Sequence, residues 1–199
     1  MGASKRICEL MVLALANGNT STLYTAVRFG NVLASRGSVV PIFQRQIDAG
    51  GPVTVTDKEM MRYFMSIREA VNLILHASCL TNGKDLFMLK MGEEVRILDL
   101  AERMIRMRGL RPYVDIPITF TGRRPGEKIS EELSNHFESS ESTIHPDIVQ
   151  LMETGADFDP QFLLEQIETL LGSGFEDKHL PLVQLNDIIK LAQRQYEAI

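Results

Sequence analysis

The sequence predicts an α/β fold whose sheet is incomplete. Three observations carry that expectation. The chain opens on an apolar-periodic helix, that helix feeds a short apolar run rich in strand formers, and only three further strand-like runs follow. A complete doubly wound domain needs more strands than this, and no glycine-rich fingerprint follows a first strand. The simplest account is the second half of something larger. A compact α+β domain complete in itself is the alternative.

The first element spans Gly2 to Asn17, where Ile7, Leu10, Met11, Ala14 and Leu15 recur at helical spacing and Asn17-Gly18-Asn19 supplies the stop. The run Leu23 to Phe29 reads as a buried parallel strand. Ser38 to Ala49 reads as a helix with Val39, Val40, Phe43 and Ile47 on its apolar side, ended by Gly50-Gly51-Pro52. Pro52 to Thr56 is the next strand-like run. Ser66-Ile67-Arg68-Glu69 has the capping-box pattern and opens a helix through Ala70, Leu73, Ile74 and Ala77.

Asp85 to Lys90 predicts a strand. Ile97 to Leu110 predicts a helix with Leu98, Ala101, Met104 and Ile105 on one side and Glu102 four residues before Arg106. Ile118 to Gly122 is the last strand-like run. After Asn135 the polar stretch HFESSESTIHPD reads as a loop, dividing residues 1–135 from a tail of 136–199. In that tail Asp159-Pro160 starts a helix carrying Phe162, Leu163, Ile167 and Leu170, Gly172-Ser173-Gly174 breaks it, and a last helix runs from about Pro181 to Tyr196.

Composition narrows the function classes. Lysine and arginine number 21 against 26 aspartate and glutamate, so the formal charge is 21 − 26 = −5. A broadly basic nucleic-acid surface is excluded, while a local positive pocket for an anionic small molecule is not. The apolar runs Leu10 to Ala16 and Val71 to Leu75 fall far short of the roughly 20 residues that span a bilayer, so no membrane segment is expected. Lys5 and Arg6 are followed by Glu9, unlike a signal peptide. Two cysteines, Cys8 and Cys79, in a methionine-rich chain fit a reduced, cytoplasmic setting.

Four places could carry chemistry. Lys5 lies near a helix start, where the dipole disfavours a cation, which makes it a ligand candidate beside the commoner reading of a solvated side chain. Asn31, with Gly30, lies just past a strand end, where open α/β folds bind ligands. The helix start at Ser38 offers unpaired amides for a phosphate. A plain strand-to-helix loop is the bland reading of that segment. Arg62, inside the apolar run EMMRYFM, must reach solvent, a carboxylate or an anionic ligand.

Arg123-Arg124-Pro125-Gly126-Glu127-Lys128 follows the last strand, and its cations around a turn can clamp a diphosphate while Glu127 accepts from sugar hydroxyls. The histidines His76, His136, His145 and His179 lack ligand spacing, so no metal is expected. There is no HExxH motif, nucleophile elbow or Walker loop.

Taken together, the segments MGASKR at Met1, TAVRFGNVLASRGSVVPIFQRQI at Thr25, GGPVTVTDKEMMRYFMSIREAVNLIL at Gly50, MGEEVRILDLAERMI at Met91 and TGRRPGEKISEEL at Thr121 resemble a known family. It is the polysaccharide-biosynthesis branch of extended short-chain dehydrogenases, and the likeness is to the long-type nucleotide-sugar 4,6-dehydratases acting on UDP-N-acetylglucosamine. The resemblance implies the C-terminal part of such a fold: an incomplete Rossmann-type sheet interleaved with a substrate-binding subdomain over residues 1–135, then a linker and helical tail over 136–199.

It also implies roles. Met1 and Lys5 match the family's catalytic positions, with Lys5 holding the nicotinamide ribose. Asn31, Ser38, Val39, Arg62, Arg124 and Glu127 match positions that bind the UDP-sugar. The implied reaction removes hydride from sugar carbon 4, eliminates water across carbons 5 and 6, and returns the hydride to carbon 6, giving a UDP-4-keto-6-deoxy sugar. NAD or NADP is the cofactor of the complete enzyme, and none is expected to bind stably to this chain, because the glycine-rich fingerprint and the acid/base residues lie upstream of the lysine motif in the family. The chain alone is therefore expected to be inactive, with an N-terminal half or a second copy as partner. A non-catalytic UDP-sugar-binding module and a UDP-sugar epimerase of the same family are the alternatives.

Overall fold

The computed structural model describes residues 2–16, 21–35, 37–134, 138–153, 160–172 and 187–188. In chain order the elements are α1 (Gly2–Ala16), β1 (Thr25–Arg28), β2 (Asn31–Val32), α2 (Val39–Asp48), β3 (Val53–Val55), β4 (Met61–Arg62), β5 (Phe64–Met65) and α3 (Ile67–Leu80). They continue with β6 (Asp85–Leu89), β7 (Val95–Arg96), α4 (Ile97–Met107), β8 (Ile118–Phe120), β9 (Glu138–Ser142), β10 (Ile148–Glu153) and α5 (Pro160–Gly172). The chain groups into two compact units. The first comprises Met1–Arg28, Leu75–Met88 and Ser134–Ile199, and the second Phe29–Ile74 and Leu89–Leu133.

The first unit is built on a four-stranded sheet in the order β1-β6-β10-β9. β1 and β6 pair in parallel from Thr25 opposite Asp85 to Arg28 opposite Met88. Leu86, Val149 and Leu151 form one buried cluster on this sheet, with Ala26 and Met88 packed against them, and Phe87 and Ile148 are buried as well. Of the stripe predicted for α1, Ile7, Leu10 and Ala14 bury against Leu163 and Ile167 of α5 and against Ile188, and Met11 packs beside them, whereas Leu15 is 40% exposed. Pro160 is the first residue of α5, where its missing N–H costs nothing.

The stretch expected as loop after Asn135 is different. Residues 138–142 form β9, paired antiparallel with β10 from Val149 opposite Ser142 to Glu153 opposite Glu138. Its sequence, ESSES, is polar because β9 lies at the edge of the sheet with most of its side chains in solvent. Its one inward carboxylate, Glu138, is held by Arg28. The Arg28 guanidinium donates to Glu9 at 2.6 and 2.7 Å and to Glu138 at 2.8 and 2.9 Å. Burial alone lowers the affinity of Arg28 for its proton. The two carboxylates outweigh that and raise it, so the charge is permanent and ties α1, β1 and β9 together.

Among its described residues the second unit has three two-stranded pairs. β2 and β5 are parallel, β3 and β8 are parallel, and β4 and β7 are antiparallel. Phe43 and Ile47 of α2, Val53 and Val55 of β3, Met60, Ile116, and Ile97, Ala101 and Ile105 of α4 make one core cluster. The stripe predicted for α4 and, apart from Val40, the stripe predicted for α2 are therefore its walls, and Glu102 pairs with Arg106 at 2.7 Å on the other side of α4. Gly50 and Gly51 end α2 with φ of 85° and 88°, a conformation that side-chain-bearing residues avoid.

The capping box at the start of α3 is formed: Ser66 N–H donates to Glu69 at 2.6 Å and Glu69 N–H to Ser66 Oγ at 3.2 Å. Ala70, Leu73 and Ala77 are buried as expected, but Ile74 is 50% exposed, so the buried stripe of α3 is narrower than its apolar face. Among the described residues no helix is long and apolar enough to cross a membrane. Met1, the stop at 17–19, the break at 173–174 and most of the expected last helix lie outside the described residues.

Candidate functional site

Six of the residues singled out from the sequence belong to the second unit: Asn31 and Arg62 lie on two short strands, Ser38 and Val39 at one helix start, and Arg124 and Glu127 in one turn. β2 carries Asn31. Its neighbour Gly30 has no room for a side chain, because a Cβ there would lie 2.7 Å from Tyr63 Cβ and 2.9 Å from Tyr63 O. That close approach lets Asn31 N–H donate to Tyr63 O at 2.8 Å, and Asn31 Nδ2 donate to the same oxygen at 3.2 Å.

Arg62, on β4, has a side chain 16% exposed and held mainly by protein groups. Its guanidinium donates from Nη1 to Met61 O at 2.6 Å and Ile129 O at 2.8 Å, and from Nη2 to Lys128 O at 3.0 Å. Two carboxylates balance the charge, Glu131 at 3.4 Å from Nε and Glu127 at 3.8 Å from Nη2. Residues 127–131 are thus wrapped around one arginine. Met61 N–H adds a backbone bond to Ile129 O at 2.8 Å, fixing the same segment to β4.

The turn before it is also pinned. Glu127 N–H donates to Arg124 O at 3.0 Å, and Arg124 N–H donates to the Glu127 carboxylate at 3.0 Å. Gly126 takes φ of 79°, which the turn requires. Glu127 therefore links Arg62 and Arg124: one oxygen faces the guanidinium of the first, the other the amide of the second. The Arg124 side chain is exposed and makes no hydrogen bond or ion pair among the described residues, whereas Arg123 stands 3.5 Å from Asp57.

Ser38 is the N-cap of α2 in extended conformation and makes no capping hydrogen bond from its side chain. Its Oγ is buried and has no partner among the described residues. Val39 is the first residue of the helix, so its amide is among the unpaired donors of the first turn. The structure thus gathers Asn31, Arg62, Arg124 and Glu127 through shared contacts and places Ser38 and Val39 at a helix start in the same unit. Lys5 is on α1 of the other unit, exposed, with no bond from its ammonium among the described residues. Met1 is outside the described residues.

One residue of this cluster escapes the sequence reading. Glu131 accepts from Asn31 Nδ2 at 2.9 Å and faces Arg62 Nε, joining two residues that stand 31 positions apart. Nothing in the spacing of the 127–132 segment announces a contact reaching back 100 positions to Asn31. Ser130 and Glu94 are hydrogen-bonded nearby in the same unit, and Lys128 pairs with Glu132. Among the described residues no group of three histidine, cysteine, aspartate or glutamate side chains could hold a metal ion.

Comparison with known proteins places this architecture. The sequence profile of the family described as polysaccharide biosynthesis protein matches residues 1–153. The capsular polysaccharide biosynthesis protein CapD of Staphylococcus aureus is 53% identical over 146 residues, covering 73% of this chain and 23% of CapD. A UDP-glucose 4-epimerase of Rickettsia rickettsii is 34% identical over 160 residues, 79% of this chain and 45% of the epimerase. Among solved structures, Pen from Bacillus thuringiensis superposes with a TM-score of 0.67 at 37% identity, over 75% of this chain and 46% of Pen. The chain thus spans less than half the length of each of these relatives. It belongs to the polysaccharide biosynthesis protein family and has the fold of part of an extended short-chain dehydrogenase.

Proposed function

We propose that this chain carries the sugar-nucleotide-binding portion of a UDP-N-acetylglucosamine 4,6-dehydratase. The observation that carries the reading is the convergence of Asn31, Arg62, Arg124 and Glu127 in one unit, around a turn whose exposed cation, Arg124, has no side-chain partner among the described residues. A diphosphate is the ligand that such a cation suits, since guanidinium and phosphate pair bidentately. Ser38 Oγ and the first amides of α2, led by Val39, are further donors for a ligand oxygen. Glu127 keeps a lone pair for a ribose or sugar hydroxyl.

NAD or NADP supplies the hydride chemistry of the complete enzyme. Of the described residues only Lys5 is assigned to it: its ammonium is open to a ribose hydroxyl, as a nicotinamide-ribose contact requires. No glycine-rich turn in the sequence offers amides to a dinucleotide diphosphate. The reading therefore gives this chain substrate binding and leaves cofactor binding and turnover to the complete enzyme, with an N-terminal half or a second copy as partner. The cytoplasm is its proposed setting, consistent with two exposed free cysteines.

A UDP-sugar epimerase of the same family is the second reading, favoured by the likeness to the Rickettsia epimerase. Titration with UDP-N-acetylglucosamine followed by a product assay with NAD+ tests both. Saturable binding without turnover is expected of the chain. If an N-terminal half restores turnover, a 4-keto-6-deoxy product supports the dehydratase and an inverted carbon 4 supports the epimerase. Absence of any binding contradicts both, and turnover by the chain alone contradicts the assignment of the cofactor to other residues.

A further inference from the structure

The donors of the two interior site residues are already committed. Arg62 has five N–H bonds. Nη1 gives its two to the carbonyls of Met61 and Ile129, Nη2 gives one to Lys128 O and faces Glu127, and Nε faces Glu131. Asn31 has two side-chain donors, and they meet Tyr63 O and Glu131. Both of those neighbours can only accept, so the orientation of the Asn31 amide is fixed by chemistry: nitrogen inward, oxygen outward. Asn31 Oδ1 accepts no hydrogen bond from the described residues.

We propose that Glu131 is the positioning residue of this site. It aligns the Asn31 amide and the Arg62 guanidinium with one carboxylate, fastening residues 127–131 onto β2 and β4. Of the Asn31, Arg62 and Arg124 side chains, the groups left to meet a ligand are then Asn31 Oδ1, an acceptor, and the Arg124 guanidinium, a cation. A ligand matched to both carries an anion and a hydrogen-bond donor, as a diphosphate esterified to a hydroxyl-bearing sugar does. Bare pyrophosphate supplies the anion but none of the sugar hydroxyls. The proposal rests on the reading of this unit as a sugar-nucleotide site and assigns a role within it to a residue that the sequence analysis did not single out. Neutral carbonyls hold most of the Arg62 donors whatever the charge at position 131, which favours positioning over a carboxylate that competes with the ligand.

The test compares Glu131→Gln and Glu131→Asp with the unaltered full chain, using UDP-N-acetylglucosamine and inorganic pyrophosphate as separate probes in calorimetry. Glutamine keeps the size but cannot accept from both Asn31 and Arg62. About a tenfold weaker affinity for the UDP-sugar is expected, the scale of one charge-assisted hydrogen bond. The affinity for pyrophosphate should change by less than about threefold, and Glu131→Asp should fall between. A merely structural role would weaken both probes alike, and an internal competitor would make Glu131→Gln bind more tightly. Either result, or unchanged binding, overturns the proposal. Hydrogen exchange at the Met61 amide, which donates to Ile129 O, reads the clamp without ligand. If the unaltered chain binds neither probe, the sugar-nucleotide reading fails. The clamp is then sustained by faster exchange in Glu131→Gln and overturned by unchanged exchange.

Discussion

Glu127 closes a reciprocal pair with Arg124: the N–H of Glu127 donates to the Arg124 carbonyl, and the N–H of Arg124 donates to the Glu127 carboxylate, both at 3.0 Å. This small ring sets the direction in which the Arg124 side chain leaves the backbone. Gly126, at φ of 79°, lies inside it. Gly126→Ala introduces a left-handed alanine and should cost about 1 kcal/mol. It should also weaken UDP binding by loosening the turn. Urea denaturation and UDP titration on the same variant separate the two effects, and a variant as stable and as tight as the parent would contradict the role of the turn.

The approach of β2 to Tyr63 makes a second prediction. Gly30→Ala puts a methyl group 2.7 Å from Tyr63 Cβ and 2.9 Å from its carbonyl oxygen. Backbone cannot yield as a flexible side chain does, so the substitution should cost about 1–3 kcal/mol. The bond from Asn31 N–H to Tyr63 O should lengthen with it. Faster exchange of the Asn31 amide together with a lower denaturation midpoint is the expected result.

Arg28 is the keystone of the first unit's charges. Glu138 is 1% exposed in its side chain and Glu9 17%. Arg28→Met leaves both carboxylates without their principal cation, and breaking a buried pair from one side costs about 3–5 kcal/mol. Adding Glu138→Gln should recover part of that loss, because the stranded charge is what makes the single change expensive. A single variant within 1 kcal/mol of the parent in denaturant titrations, about the worth of a surface pair, would show that the network is dispensable.

How much of this was legible from the sequence follows from where each signal lives. The stripes of α2 and α4 and the Ser66–Glu69 box are written in spacings of three and four residues, and the structure has them. β2, β4, β5 and β7 have two residues each, too short for any alternation to show. β9 hides for another reason: as an edge strand it needs little apolar content, and polarity reads as loop. At the site, the arginine-rich turn and Asn31 stand out by residue type. Glu131 does not, since its importance comes from a contact across 100 positions that only tertiary structure creates.

Acid should expose the capping box and one surface pair. The Glu69 carboxyl is held below its ordinary 4.5, first by the Ser66 backbone N–H and then by its hydroxyl. Asp115 is held at about 2 against an ordinary 3.8 by the Arg111 guanidinium and backbone N–H. A carboxyl depressed on folding stabilises the protein above its unfolded value, and that contribution is lost as pH falls through the folded value. For Asp115 the window is therefore between 3.8 and about 2. Asp115→Asn should flatten the dependence of the urea midpoint on pH within that window and leave it unchanged above. An equally steep profile in the variant would contradict the assignment.

The central claim, that the second unit grips a UDP-sugar through the arginine turn, is tested most directly by calorimetric titration of the chain and of Arg124→Ala with UDP. The Arg124 side chain has no partner among the described residues, so the substitution should leave folding unchanged while removing the exposed guanidinium. Saturable binding by the parent and at least about a tenfold loss in the variant is the predicted result. Equal affinity in the two, or no heat of binding in the parent, would contradict it.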